Sequence, residues 1–320
     1  MTELRFDGQV AVITGAGRGL GAEYARLLAA RGARVVVNDL GGSVTGEGAV
    51  ADAAAATVQD ILDYGGEAIA DANSVATSEG GSAIIDTAMR RWGRVDIVVN
   101  NAGIVRDSPF SDMTPDLVEP LIDVHLKGAF FVTRPAWNVM REQGYGRVVN
   151  TCSAAGILGA ETMSNYGAAK TGLIGLTRVL AAEGAEVGIK VNAIAPIAAT
   201  RMLETSMAGN DQQRNADEQA ATEALMRPFL EKLDPALVAP VVAYLAHADC
   251  AVTGEIYSAG AGHVSRFFIG RTAGVYRPRL SAEDVRDHFE EIRDETDYTV
   301  PSGVADEMTE LYGSIMRENL

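Results

Sequence analysis

Tyr166 and Lys170 stand four residues apart in SNYGAAK, and Ser153 lies thirteen residues before the tyrosine. Four residues is just over one helical turn, so in a helix the two side chains share a face. A lysine ammonium beside a phenol favours the phenolate, and the expectation is a tyrosine pKa drawn down toward neutral pH. Ser153, on an earlier segment, is placed to hold an alcohol or carbonyl oxygen near that phenol. The trio can exchange a proton with a secondary alcohol while a hydride leaves its carbon. That chemistry needs a hydride acceptor.

The turn TGAGRGLG, residues 14–21, offers a place for one. Gly15, Gly19 and Gly21 follow an apolar run and open a helical pattern, with Arg18 and Leu20 inside the turn. Missing side chains let the backbone bend sharply and approach a pyrophosphate, which a helix N-terminus favours. Asp39 closes the next apolar run in VVVNDLGG, eighteen residues after Gly21. A carboxylate there accepts hydrogen bonds from ribose hydroxyls and repels a 2′-phosphate. Arg18 pulls the other way, because a guanidinium there could pair with that phosphate. NAD is the expected cofactor, with NADP less favoured.

Short β-branched runs, the elements that must position these residues, alternate with longer amphipathic stretches. Strands are predicted at 10–14, 34–38, 68–70, 97–100, 147–151, 190–194 and 255–258, and helices at 19–31, 48–64, 78–92, 115–143, 165–187 and 235–246. The strands are continuous apolar runs, which suits a parallel sheet covered on both faces. The expected fold is α/β: a Rossmann-like doubly wound parallel sheet of about seven strands with helices on both faces, plus a C-terminal extension. Residues 1–262 form the expected dinucleotide-binding oxidoreductase domain. Within it, 202–233 is polar and weakly patterned, and reads as a substrate flap or as a surface insertion. From His263 the strand–helix rhythm stops. The extension 263–320, with the charged helical pattern SAEDVRDHFEEIRDETDY, is expected to pack on the same domain or on a partner subunit, or to be a solvated tail.

The 320 residues are enough for a sizeable core, and 47% hydrophobic with 22% charged residues is an ordinary globular balance. The net charge of −16 argues against nucleic acid and anionic membrane surfaces as partners. An anionic substrate would need a local basic patch, for which Arg106, Arg201, Arg266 and Arg271 are candidates by position. Cys152 and Cys250 show no metal spacing and the four histidines add none, so no metal is expected. The first residues lack a basic region followed by an apolar run, and no apolar stretch reaches membrane-spanning length. The expected location is cytoplasmic.

Together with NNAG at 100–103, the glycine turn, Ser153 and Tyr166-x-x-x-Lys170 resemble the short-chain dehydrogenase/reductase family over roughly residues 8–262. The resemblance implies that Tyr166 is the acid/base, that Lys170 lowers its pKa and holds the nicotinamide ribose, and that Ser153 orients the substrate oxygen. It implies that Asn101, Ala102 and Gly103 shape the adenine side of the cofactor cleft. Asn73, Ser74 and Val75 occupy the place where the family usually has an aspartate and an apolar residue near adenine. Pro196 and Ile197 stand for the usual Pro-Gly, with Ile197 expected on the nicotinamide ring and Thr200 near the carboxamide or pyrophosphate. His125, in DVHLKG, replaces the asparagine that props a water in the family's proton relay. It could hold a water, relay protons or be structural.

VVNDLGG, NNAGIVRD, DVHLKGAF, VTRPAW and YGRVVNT narrow the resemblance to the (3R)-hydroxyacyl-CoA dehydrogenase branch associated with multifunctional enzymes and 17β-hydroxysteroid dehydrogenases. That branch implies a secondary alcohol or ketone as substrate: a 3-hydroxyacyl-CoA, possibly steroid-derived, or a 17β-hydroxysteroid. The alternatives are a 3-oxoacyl-carrier-protein-type ketone reductase and a non-catalytic dinucleotide-binding redox sensor. A homodimer or homotetramer is expected through the helix carrying Tyr166.

Overall fold

The computed structural model describes residues 2–48, 50, 52–203 and 227–317. Most of the predicted flap therefore lies outside the described residues. Internal contacts divide the chain into two compact units, Met1–Arg266 and Phe267–Leu320.

The larger unit is built on a sheet of eight strands: β1 (Val10–Thr14), β2 (Arg34–Asn38), β3 (Glu67–Asp71), β4 (Ile97–Asn100), β5 (Gly146–Thr151), β6 (Ile189–Pro196), β7 (Ile256–Gly260) and β8 (His263–Phe267). Their order is β3-β2-β1-β4-β5-β6-β7-β8, and every pair from β3 to β7 is parallel. The two-fold period of a strand divides the apolar residues between the faces. Ala11 and Ile13 of β1, with Val35, Val37, Ile97 and Val99, belong to one core cluster. Val10 and Val12, with Val36, Val98, Val148 and Val191, belong to the other. Helices α1 (Gly19–Ala30) and α2 (Ala53–Asp63) cover the first face through Leu28, Ala54 and Ile61. The second is covered by α3 (Ser78–Trp92) and α5 (Gly128–Gln143) through Ile84, Ile85, Ala136 and Met140. Strand order reverses between β1 and β4, so a crevice opens at their carboxyl ends.

β8 was not expected. It follows β7 after Ala261 and Gly262, both at positive φ (49° and 77°), and a two-residue link returns the chain antiparallel. HVSRF is exposed along almost its whole length and carries no apolar run, so periodicity gives no signal there.

The helix predicted over 115–143 is interrupted. α4 (Pro115–Leu121) contains Pro120 and passes into a π-helical turn, Ile122–Lys127, before α5 begins at Gly128. The extra residue per turn swings His125 inward, where it is 3% exposed. A second short helix, α6 (Ala154–Leu158), starts at Ser153, whose Oγ caps it by accepting from Ala155 N at 3.2 Å. α7 (Ser164–Gly184) carries Tyr166 and Lys170, and α8 (Ala239–Ala246) closes the first face.

In the smaller unit the predicted charged helix is two short ones, Ala282–Asp287 and Phe289–Arg293, the first begun by a capping box between Ser281 and Asp284. Val304–Arg317 forms a longer helix in the same unit, where Arg271 pairs with Glu307 at 2.9 Å and with Glu310.

Candidate active site

The glycine turn and the end of β4 are held as one piece. Thr14 Oγ1 accepts from Asn101 N (3.0 Å) and Ala102 N (3.1 Å), while Asn101 Nδ2 donates to Thr14 O and Gly15 O, both at 3.0 Å. Gly15 has φ 63°, and a Cβ there would sit 2.7 Å from Ala102 Cα. A side chain at Gly15 would force the two segments apart. Gly21 does not line the crevice. It is buried beneath the turn, where a Cβ would meet Gly15 O and come within 2.6 Å of Asn101 Nδ2. Its function in the turn is close packing.

Asp39 lies where β2 ends. Its Oδ2 accepts from Gly17 N (2.9 Å) and its Oδ1 from Gly41 N (2.7 Å), so both oxygens are oriented by backbone donors. Across the crevice Asn73 is placed by Asp71, which accepts from its Nδ2 (2.8 Å) and its backbone N (2.9 Å). Val75 is buried against Gly128, where a Cβ would touch its Cγ2 at 3.1 Å.

At the other end of the crevice Lys170 is buried and donates from Nζ to Thr151 O at 2.6 Å. The same Nζ lies 5.4 Å from the centroid of the Tyr166 ring. The ring packs edge-on against His125, with centroids 5.2 Å apart and planes at 87°. Ile104, Val105 and Leu121 are buried with Tyr166, and Val44, Met163 and Met202 pack on them, giving the phenol an apolar surround.

That surround works against the expected lowering. Burial pushes the Tyr166 phenol up to about 12, against which a hydrogen bond with Ser153 works in the lowering direction. Burial likewise draws Lys170 down to about 8. Leaving water disfavours the charged form of both groups, which opposes the lowering of the tyrosine that a neighbouring ammonium would produce. His125 is held well below its ordinary value, first by burial and then by the Lys170 charge. Its Nε2 lies 2.7 Å from Ile104 O and 3.1 Å from Ile104 N. Which of the two atoms Nε2 bonds to depends on the tautomer, and Nδ1 is buried without a partner among the described residues.

One crevice of about 1000 Å³ is lined by Ser153, Tyr166, Lys170, His125, Gly15, Arg18, Gly19, Leu20, Asp39, Asn73, Ser74, Val75, Asn101, Ala102, Gly103, Pro196, Ile197 and Thr200. Among the catalytic and cofactor-binding residues named from the sequence, Gly21 alone is set back from it. The volume is ample for a dinucleotide with part of a second molecule. Two buried polar atoms on its wall, His125 Nδ1 and Thr151 Oγ1, have no hydrogen-bond partner among the described residues, as suits a surface completed by a polar ligand. Thr151, Ile104 and Asn165 were missed in the sequence. Nothing local marks them, although Asn165 stands next to the tyrosine.

Of the basic residues considered for an anionic substrate, Arg266 is paired with Glu255 at 2.7 Å and Arg271 with Glu307. Arg106 and Arg201 line the crevice. Among the described residues no cluster of His, Cys, Asp and Glu could hold a metal ion, and no helix is long and apolar enough to cross a membrane.

A doubly wound sheet with a glycine turn at its switch point and a Ser–Tyr–Lys group in the same crevice defines a dinucleotide-dependent oxidoreductase. The chain belongs to the short chain dehydrogenase family, whose profile matches residues 9–215. It is 41% identical to peroxisomal multifunctional enzyme A of Dictyostelium discoideum, over 98% of this chain and 66% of that protein. It is 45% identical to a short-chain type dehydrogenase/reductase of Mycobacterium tuberculosis, over 89% of this chain and 94% of that one. The full-length peroxisomal multifunctional enzyme type 2 of Drosophila melanogaster superposes with a TM-score of 0.78 at 34% identity, covering 98% of this chain and 50% of its own. The chain thus spans between half and two thirds of the multifunctional enzymes it resembles here.

Proposed function

We propose that the protein is an NAD-dependent dehydrogenase interconverting a secondary alcohol and a ketone, with a 3-hydroxyacyl-CoA, including steroid-derived ones, as first substrate and a 17β-hydroxysteroid as second. The observation that carries this is the opening of Ser153, Tyr166 and Lys170 onto the same crevice as Asp39 and the glycine turn. Similarity to the dehydrogenase portion of multifunctional enzymes supports the acyl-CoA choice. The two ordered oxygens of Asp39 support NAD, because a 2′-phosphate beside them would meet a fixed negative charge.

A bound oxidised dinucleotide would supply the hydride acceptor. Tyr166 as phenolate removes the hydroxyl proton, Ser153 holds the substrate oxygen, and Lys170, anchored on Thr151 O, favours the phenolate. In the reverse direction Tyr166 returns the proton to the ketone oxygen. The apolar surround of Tyr166 excludes water from that exchange and suits an apolar acyl or steroid skeleton.

The reading includes a homodimer or homotetramer in the cytoplasm. Phe130 on α5 is 50% exposed and Val179 on α7 is 56% exposed, apolar surface that a second copy would cover. Light scattering at micromolar concentration checks this, and a single peak at monomer mass would refute it.

The decisive experiment follows NADH formation from a (3R)-hydroxyacyl-CoA and from a 17β-hydroxysteroid, with NAD and with NADP, in wild type and Tyr166→Phe. Turnover with NAD that falls by about 10²–10⁴ in the variant, with NADH still bound, is expected. Equal turnover in wild type and variant would remove Tyr166 from the chemistry. Tight NADH binding without any turnover would favour a sensor.

A further inference from the structure

Arg106 stands beside the crevice, but its side chain is turned to backbone. Nε donates to Thr45 O at 2.8 Å and Nη1 to Asp116 O at 2.8 Å. Thr45 belongs to the loop that leaves Asp39, and Gly41 N of that loop sits on the Asp39 carboxylate. The neighbouring Val105 N donates to Val44 O at 3.0 Å, so residues 44–45 are fastened to 105–106 twice. Asp116 lies in the first turn of α4, which leads through the π turn to His125.

The main chain of Arg106 points the other way. Its carbonyl accepts from Asn165 Nδ2 at 2.9 Å, and the same amide donates to Leu117 O at 2.8 Å. Asn165 Oδ1 accepts from Tyr166 N at 2.7 Å. Asn165 is 3% exposed; its bond to Tyr166 N is buried, and those to Arg106 O and Leu117 O are partly buried. The guanidinium carries two charge-assisted bonds to carbonyls of two different segments, the one to Thr45 O partly buried and the one to Asp116 O exposed.

We propose that Arg106 is a positioning residue that joins the Asp39 loop and the start of α4 to the helix bearing Tyr166, and is not the partner of an anionic substrate. One side chain thereby sets the adenosine end of the crevice and the acid/base end in register. Lysine has a single ammonium and cannot present the planar fork that reaches both carbonyls.

The substrate arm of the test rests on the proposed function, and the cofactor arm does not. NADH is titrated by its fluorescence, and initial rates are measured with a (3R)-hydroxyacyl-CoA and with an uncharged 17β-hydroxysteroid. Arg106→Met is expected to raise the NADH Kd about tenfold. It is expected to lower kcat at saturating NAD by ten- to a hundredfold, by about the same factor for both alcohols. Arg106→Lys should recover part of each effect, and it serves if the methionine variant does not fold. Asn165→Asp keeps the acceptor for Tyr166 N but sets an oxygen against Arg106 O and Leu117 O. It should lower kcat and leave the NADH Kd within about twofold. A rise in KM confined to the coenzyme A thioester, with NADH binding unchanged, would make Arg106 a substrate ligand and overturn the proposal. A lowered Tm with Kd, KM and kcat all unchanged would reduce it to a brace. If wild type oxidises neither alcohol, the proposed function fails while the NADH titration still decides the cofactor arm.

Discussion

The imidazole of His125 occupies the space that a side chain on Gly103 would need. A Cβ on Gly103 would collide with His125 Cε1 and lie 3.1 Å from Nδ1. Neither group can yield easily, since Nε2 is bonded to Ile104 and the ring is packed edge-on to Tyr166. Gly103→Ala is therefore expected to cost about 1–3 kcal/mol of stability. In the His125→Ala background the same change should cost much less. Urea unfolding of both single variants and the double variant gives the coupling. Simple additivity would show that the two positions do not compete for space.

Lys170 makes stability depend on pH in a defined window. Its ordinary value of 10.5 is drawn down by burial to about 8. Between those values the unfolded chain holds a proton that the folded chain has released, so this group's contribution to stability rises with pH. Below pH 8 both states are charged and the full desolvation cost applies. Wild type should gain on Lys170→Met by about 1–2 kcal/mol between pH 7.5 and 9.5 in cofactor-free urea unfolding. A constant difference across that range would mean that Nζ titrates as an ordinary lysine.

Asp39→Asn leaves one amide oxygen to serve two backbone donors and removes the negative charge. NADH binding should weaken, and NADPH binding should weaken less or improve. The preference between them is expected to narrow by about tenfold. Fluorescence titration of both reduced cofactors measures it, and an unchanged preference would assign the discrimination elsewhere in the turn.

Much of the crevice was legible before the fold. Strands β1, β2 and β4 fall where apolar runs placed them, because a strand covered on both faces is filled mainly by apolar residues. The glycine turn and the Tyr166–Lys170 spacing depend on local backbone geometry, which residue type constrains directly. Periodicity failed where the signal was short or shared. Edge strand β8 is almost wholly exposed, α6 has only five residues, and the π turn at 122–127 keeps a helical pattern while shifting its register. The 204–226 stretch lies outside the described residues.

By itself the sequence determined the sheet class, the position of the turn and which side chains could do chemistry, since each depends on neighbours within one or two turns of chain. Tertiary structure decided how those side chains behave. Tyr166 is pushed up and Lys170 down because residues from distant segments strip both of water. The bonds tying Arg106 to Thr45 and Asn165 span 61 and 59 residues. A hydrogen bond across such a distance leaves no periodic trace in the chain, because only folding brings its two ends together.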